Sequence, residues 1–157
     1  MDETTLTIFI VAMIVMVIPL SSLLAWRIVA RQRARSEAPP SHLTDGALDV
    51  PVRALTLDRN IPLLGGYSTN NASPEFAITD EGVRFKILKP ALWRFEDVAR
   101  VGAPRRISGR RLSFHARQSR QVLSADLADA DRARDLLRAL PRDLILTDQA
   151  RMMRDGA

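Results

Sequence analysis

From Thr4 to Trp26 the chain runs about 23 residues without a charged side chain, bounded by Glu3 on one side and Arg27 on the other. As a helix rising about 1.5 Å per residue this stretch reaches about 34 Å, enough to cross the hydrocarbon core of a bilayer. Backbone amides cannot go unpaired in lipid, so such a run is expected to be a transmembrane helix. Between Leu6 and Leu20 only Thr7 and Pro19 interrupt the apolar pattern. A helix packed in a water-bathed core would show polar positions every three or four residues. A cleaved signal peptide would open with cations, whereas Asp2 and Glu3 precede this run and no small-x-small site lies before Arg27.

The flanks set an orientation. Arg27, Arg31, Arg33 and Arg35 follow the span and two carboxylates precede it, so the positive-inside rule places the C-terminal part in the cytoplasm. The expectation is a single-pass inner-membrane protein: residues 1–3 outside, 4–26 in the bilayer, and 27–50 as a juxtamembrane helix and linker broken at Pro39-Pro40. Trp26, Arg27, Arg31, Arg33 and Arg35 would anchor the helix among the headgroups. The remainder is long enough for one modest domain with its own core. The chain has no cysteine, which closes off disulfides, thiolate catalysis and cysteine metal sites.

The net charge of +5 is unevenly placed. Residues 84–120 hold nine arginines, Lys86 and Lys89 against Glu96 and Asp97, a local net of +9. The tail after residue 120 balances six arginines with seven aspartates. Arginine outnumbers lysine throughout, as a GC-rich coding sequence would produce, but that bias does not explain why only the middle block is unbalanced.

Along the domain the period of apolar residues changes twice. Val50–Leu57 reads as a short strand with Pro51 near its start, and the Gly65-to-Pro74 run reads as a loop. From Glu75 the period is two: Phe76 and Ile78, a turn at Asp80-Glu81-Gly82, then Val83, Phe85 and Ile87, which together specify a β-hairpin. Further strands follow at Leu92–Phe95, Val98–Val101, Arg105–Ser108, Leu112–Arg117 and Gln121–Leu127. Then Ala130, Ala133, Leu136, Leu137 and Leu140 mark an amphipathic helix, with Asp129 to cap it and Pro141 to end it. Leu144–Leu146 reads as extended, and 148–157 as an exposed tail. The expected class is α+β: a transmembrane helix, then a small antiparallel β-barrel or sandwich over 51–147, closed by the helix at 129–140.

The segments EFAITDEGVRFKI, WRFEDVARV, GRRLSFHA and VLSADL, followed by the helix ADADRARDLLRALP, resemble the bacterial branch of pleckstrin-homology-like domains over residues 75–140. The resemblance implies a bent barrel plugged by its C-terminal helix. It makes Trp93 and Phe95 core or barrel-lip residues, with Asp97 turning the chain before Val98 and Val101 pack inward. It also implies a binding or assembly module, not an enzyme. Members that bind phosphoinositides carry basic residues between their first two strands; Asp80-Glu81-Gly82, or the neutral segment before Pro74, does not.

Function classes narrow accordingly. His42 and His115 are the only histidines, no G-x-S-x-G elbow accompanies any serine, and Gly65-Gly66 lacks the Lys-Ser or Lys-Thr of a phosphate loop. Neither catalysis nor a cofactor or metal is expected. The candidate contacts are Arg105, Arg106, Arg110, Arg111 and Arg117, which flank or follow the turn at Gly109 and could meet an anionic lipid surface or a protein partner in a membrane complex. Self-association is a further option. The alternatives are a nucleic-acid-binding domain using the basic segment 84–120, disfavoured by its few aromatics, or an enzyme of unrecognised type.

Overall fold

The structure, a computed structural model, describes residues 38–59, 66–70, 73–104 and 111–156, together with Val17, Ser21, Trp26, Arg27, Val29, Ala30 and Ala34. The chain divides into two compact units, Met1–Ala34 and Arg35–Ala157. In the first unit the described positions are helical and exposed, and Ser21 Oγ donates to the Val17 carbonyl at 2.7 Å.

The expectation of a transmembrane helix is corrected here. Among the described residues no helix is long and apolar enough to cross a membrane. The two described helices with printed bounds, of 10 and 8 residues, reach about 15 and 12 Å against a hydrocarbon thickness of about 30 Å, and both are rich in charge. The Thr4–Trp26 stretch itself, apart from Val17, Ser21 and Trp26, lies outside the described residues. The single-pass inner-membrane assignment, with its outside N-terminus, is therefore withdrawn.

The second unit consists of two five-stranded antiparallel sheets and two helices. The strands are β1 (Ser41–His42), β2 (Leu48–Asp49), β3 (Ala54–Asp58), β4 (Tyr67–Asn70), β5 (Glu75–Ile78), β6 (Gly82–Lys86), β7 (Pro90–Arg94), β8 (Val98–Gly102), β9 (Arg111–Ala116) and β10 (Val122–Asp126). One sheet runs β1-β2-β5-β6-β7 and the other β4-β3-β10-β9-β8. The helices are α1 (Ala130–Ala139) and α2 (Asp148–Asp155).

Residues 48–58 form one bent strand shared between the sheets. Leu48 and Asp49 pair with Ile78 and Ala77, and the Val50 amide extends that ladder to the Phe76 carbonyl at 2.9 Å. After Pro51 the Arg53 amide donates to the Asp126 carbonyl, and β3 pairs with β10 from Ala54 to Asp58. Proline has no N–H to contribute, so the corner is a position where the ladder can break without an orphaned donor. The partner hairpin strand is interrupted in the same place: β4 pairs with β3, and β5 with β2. Asn70 stitches this corner shut by donating through Nδ2 to the carbonyls of Lys86 and Ile87. At the other corner a 3-10 turn, Phe95–Asp97, carries the chain from β7 to β8.

Several sequence expectations shift. The loop expected at 65–74 contains β4, whose Tyr-Ser-Thr-Asn sequence offers no apolar alternation and is held by pairing with β3. Asp80-Glu81-Gly82 closes β5 onto β6 as expected, and residues 60–65, between β3 and β4, lie outside the described residues. The expected linker contributes β1 and β2, with Ala47 and Val50 buried. The expected tail forms α2, anchored by buried Ala150. The expected strand at 105–108 lies outside the described residues.

Between the sheets the inward positions form one core of Leu55, Phe76, Val83, Phe114, Leu123 and their neighbours. Phe76 and Phe114 meet across it with centroids 5.8 Å apart, and Phe85 meets Trp93 edge to face at 5.6 Å. Helix α1 adds Ala133, Leu136 and Leu137. It starts where the Asp129 carboxylate accepts from the Arg132 amide at 2.8 Å. Residues 145–147 then run parallel to β8: the Val101 amide donates to Ile145 O at 2.8 Å and the Thr147 amide to Val101 O at 2.9 Å. Thr147 caps α2, and Gly156 ends it at a φ of 82°.

Gly82 opens β6 directly against β7, and a β-carbon there would overlap the Trp93 carbonyl oxygen and the Arg94 backbone. Backbone cannot swing away as a side-chain tip can. Gly82→Ala is therefore expected to cost about 2 kcal/mol or more, read as a lower urea midpoint at unchanged slope.

Candidate functional site

Five of the eight described cations in the basic block 84–120, namely Arg84, Lys86, Arg94, Arg111 and Arg117, are engaged within the fold. Arg111 on β9 makes a two-pronged ion pair with Asp126 on β10, both nitrogen–oxygen distances being 2.5 Å. These residues sit directly opposite each other in the ladder, and each side chain is about three-quarters covered. The contact holds the Arg111 guanidinium even more firmly protonated than usual. Arg117 donates to the carbonyls of Glu96 and Val98, tying the 3-10 turn and β8 to the end of β9. Arg84 pairs with Asp45 at 2.7 Å, Lys86 with Glu75 at 2.9 Å, and Arg94 with Glu96 at 3.4 Å. The Arg84 guanidinium and the Ala47 amide together hold the Asp45 carboxyl below its ordinary range.

Of the contacts expected from the sequence, the structure therefore brings Arg111 and Arg117 into internal bonds. Arg105, Arg106 and Arg110 lie outside the described residues, as do Arg31, Arg33 and Arg35. Trp26 and Arg27 are exposed helical positions of the first unit. Among the described residues no three His, Asp or Glu side chains converge as metal ligands.

A partner strand or helix could be received at a sheet edge or a helix face; the β8 edge and one face of α1 are already occupied by the chain itself, while β1, β4 and β7 end their sheets. The edge of β8 is paired with 145–147, and Leu146 is buried there. One side of α1 is engaged by α2: Arg134 Nε donates to Met153 O at 3.2 Å, and Arg138 Nε to Arg154 O at 3.3 Å. Of the β1, β4 and β7 edges, β1 is only two residues long and β4 is the polar Tyr-Ser-Thr-Asn, which leaves the outer edge of β7 as the one with apolar side chains to offer. Among the described residues no strand pairs with that edge, since β7 terminates its sheet.

Four of the five residues of β7 are exposed. Leu92 is 44% exposed, and Leu88, in the turn before it, is 79% exposed. Leu92 lies opposite Arg84, which lies opposite Ala77, so the open edge continues onto the outer face of the sheet. A groove of about 230 Å³ lies on that face, lined by Leu43, Asp49, Glu75, Ala77, Arg84 and Pro90. The apolar edge and charged groove together can accept an extended chain through backbone bonds, with alternate side chains directed over the sheet. The sequence reading treated Leu92 as an ordinary strand residue. Lys89-Pro90 was the available signal, because proline at the start of a strand marks an edge.

His115 lies on the outer face of β9 opposite Arg100, and its proton affinity is lowered. Partial burial, aided by the Arg100 charge, pushes it below the ordinary value of 6.5. No protein-family model matches this chain, and neither a curated protein nor a solved structure matches it.

Two outcomes follow from this geometry. Arg111→Gln should lower stability by about 2 kcal/mol in chemical unfolding, since it leaves Asp126 without its charged partner. For His115 the unfolded state binds the proton more tightly than the folded state, so stability is complete above about pH 6.5 and falls as pH drops below it. Replacing His115 by Gln should remove that part of the acid-side slope in unfolding midpoints measured across this range.

Proposed function

We propose that the Arg35–Ala157 unit is a non-catalytic binding module of the pleckstrin-homology-like kind, which takes up a protein partner as a strand added along β7. The observation that carries this reading is the open β7 edge, in a domain whose β8 edge and α1 face are both covered by its own C-terminal segment. Antiparallel strand order from the bent hairpin to β10, followed at once by a helix buried against the core, supports the resemblance seen in the sequence. Aliphatic and aromatic side chains fill the interior, so recognition belongs to the outer edges and faces.

Strand addition suits this edge energetically. Each backbone bond contributes about 1 kcal/mol net, and the exposed Leu92 and Leu88 offer apolar surface worth about 25 cal/mol per Å² covered. Lys89 and Pro90 blunt one end of the strand and limit unspecific pairing, leaving Ala91 to Arg94 as the receiving stretch.

A photo-reactive residue in place of Leu92 should give a discrete protein adduct in cells. The same residue in place of Arg120, exposed in the turn between β9 and β10, should not. Adducts at both positions, or none at Leu92, would reject the edge as the docking surface.

A further inference from the structure

At the C-terminal ends of α1 and α2 lies an open cleft of about 720 Å³, lined by Arg138, Leu140, Arg142, Arg154 and Asp155. Three guanidinium groups face one carboxylate, a lining charge of +2. Arg154 is partly covered, and its Nε sits 3.1 Å from Asp155 Oδ1. Arg138 spends its Nε on the Arg154 carbonyl, and its Nη1 is 3.7 Å from Asp135, beyond hydrogen-bond reach. The ion pairs among the described residues engage Arg138 and Arg154 but not Arg142.

Cations often gather at helix C-termini merely to satisfy the last carbonyls. Here that demand is already met. The carbonyls of Met152, Met153 and Arg154 accept from the Gly156 amide, Arg134 Nε and Arg138 Nε respectively. The Nη donors of Arg138 and the whole Arg142 guanidinium remain in excess of what the helix ends require. Leu140 beneath them is buried in the core, and α1 and α2 are bonded to each other, so the cluster is held in place before any ligand arrives. Among the described residues the three guanidinium groups share only Asp155 and the more distant Asp135, so a net repulsion remains that an anion relieves.

We propose that this cleft binds a phosphomonoester dianion. A dianion matches the +2 lining, and its three terminal oxygens suit three guanidinium forks better than a single carboxylate does. An open mouth admits a phosphate carried on a larger body, so a dissolved phosphomonoester and a phosphatidic acid headgroup present the same chemistry. The site is separate from β7 and stands or falls independently of the strand-addition reading.

Calorimetric titration of the full chain at constant ionic strength tests this, with inorganic phosphate and glycerol phosphate as soluble probes and phosphatidylcholine vesicles containing phosphatidic acid as the surface probe. Saturable phosphate binding is expected. Arg142→Glu should weaken it about tenfold or more. Arg120→Glu makes the same charge change at an exposed turn and should leave it unaltered. Circular dichroism of both variants should match the parent, as neither side chain is buried. Preference between glycerol phosphate and the vesicles then assigns the source of the same dianion. Absence of saturable phosphate binding overturns the proposal. So does equal weakening by Arg120→Glu, or tighter binding of a polyglutamate peptide than of phosphate.

Discussion

The bend between Val50 and Arg53 is the constraint on which the rest of this domain depends. A single chain segment donates to Phe76 on one sheet and to Asp126 on the other within four residues, so the two sheets cannot slide independently. Every long-range feature of the core inherits its register from that corner. Phe76 can meet Phe114 because the segment that pairs with β5 continues into the strand that pairs with β10. A slip of one residue in either ladder would turn Phe76 or Leu123 to solvent, since the period of two leaves no intermediate arrangement.

With the register set, the remaining difficulty is the exposed edges that any open sheet carries. The chain manages them unequally. Its C-terminal segment runs back along β8 and then, as α2, against α1, and the arginines of α1 reach across to the last carbonyls of α2. One continuous segment of the chain thus covers a strand edge and a helix face. The β7 edge receives no such cover among the described residues; it is protected only by Lys89, Pro90 and its short length. An edge left open where two neighbouring surfaces are covered is the feature that separates docking from simple closure.

Much of the framework could be read from the chain because strong periods fall where burial is strong. Phe76, Ile78, Val83 and Phe85 alternate, and the hairpin they define is the observed β5–β6 pair. Ala133, Leu136 and Leu137 recur at helical spacing between Asp129 and Pro141, and α1 occupies that interval. The features that escaped are those made by tertiary contact alone. Strand β4 is polar throughout, and β1 and β2 are two residues each, so only their pairing partners define them. Helix α2 buries a single alanine and carries no apolar stripe long enough to announce itself, although Thr147 and Gly156 stand at its two ends as caps. The apolar run near the N-terminus taught a different lesson: length and hydropathy suggested a membrane span, and no described helix supplies one.

Charge was the least legible property, because net charge along a sequence says nothing about distance. The block with the largest positive excess contains Arg111, Arg84 and Lys86, each held within 3 Å of a carboxylate, all three of those carboxylates lying outside the block in sequence. Its excess is therefore reduced by partners supplied from elsewhere in the chain: Asp45 from the turn between β1 and β2, Glu75 from β5 and Asp126 from β10. The C-terminal segment, nearly neutral on paper, does the reverse. Its aspartates lie mostly three residues from its arginines along α1 and α2, as with Arg134 and Asp131, and this local pairing, loose at Arg138 and, among the described residues, absent at Arg142, leaves both to line the cleft at the helix ends. A cationic site thus arises where the sequence balance is close to zero, because pairing is decided by the fold and not by proximity in the chain.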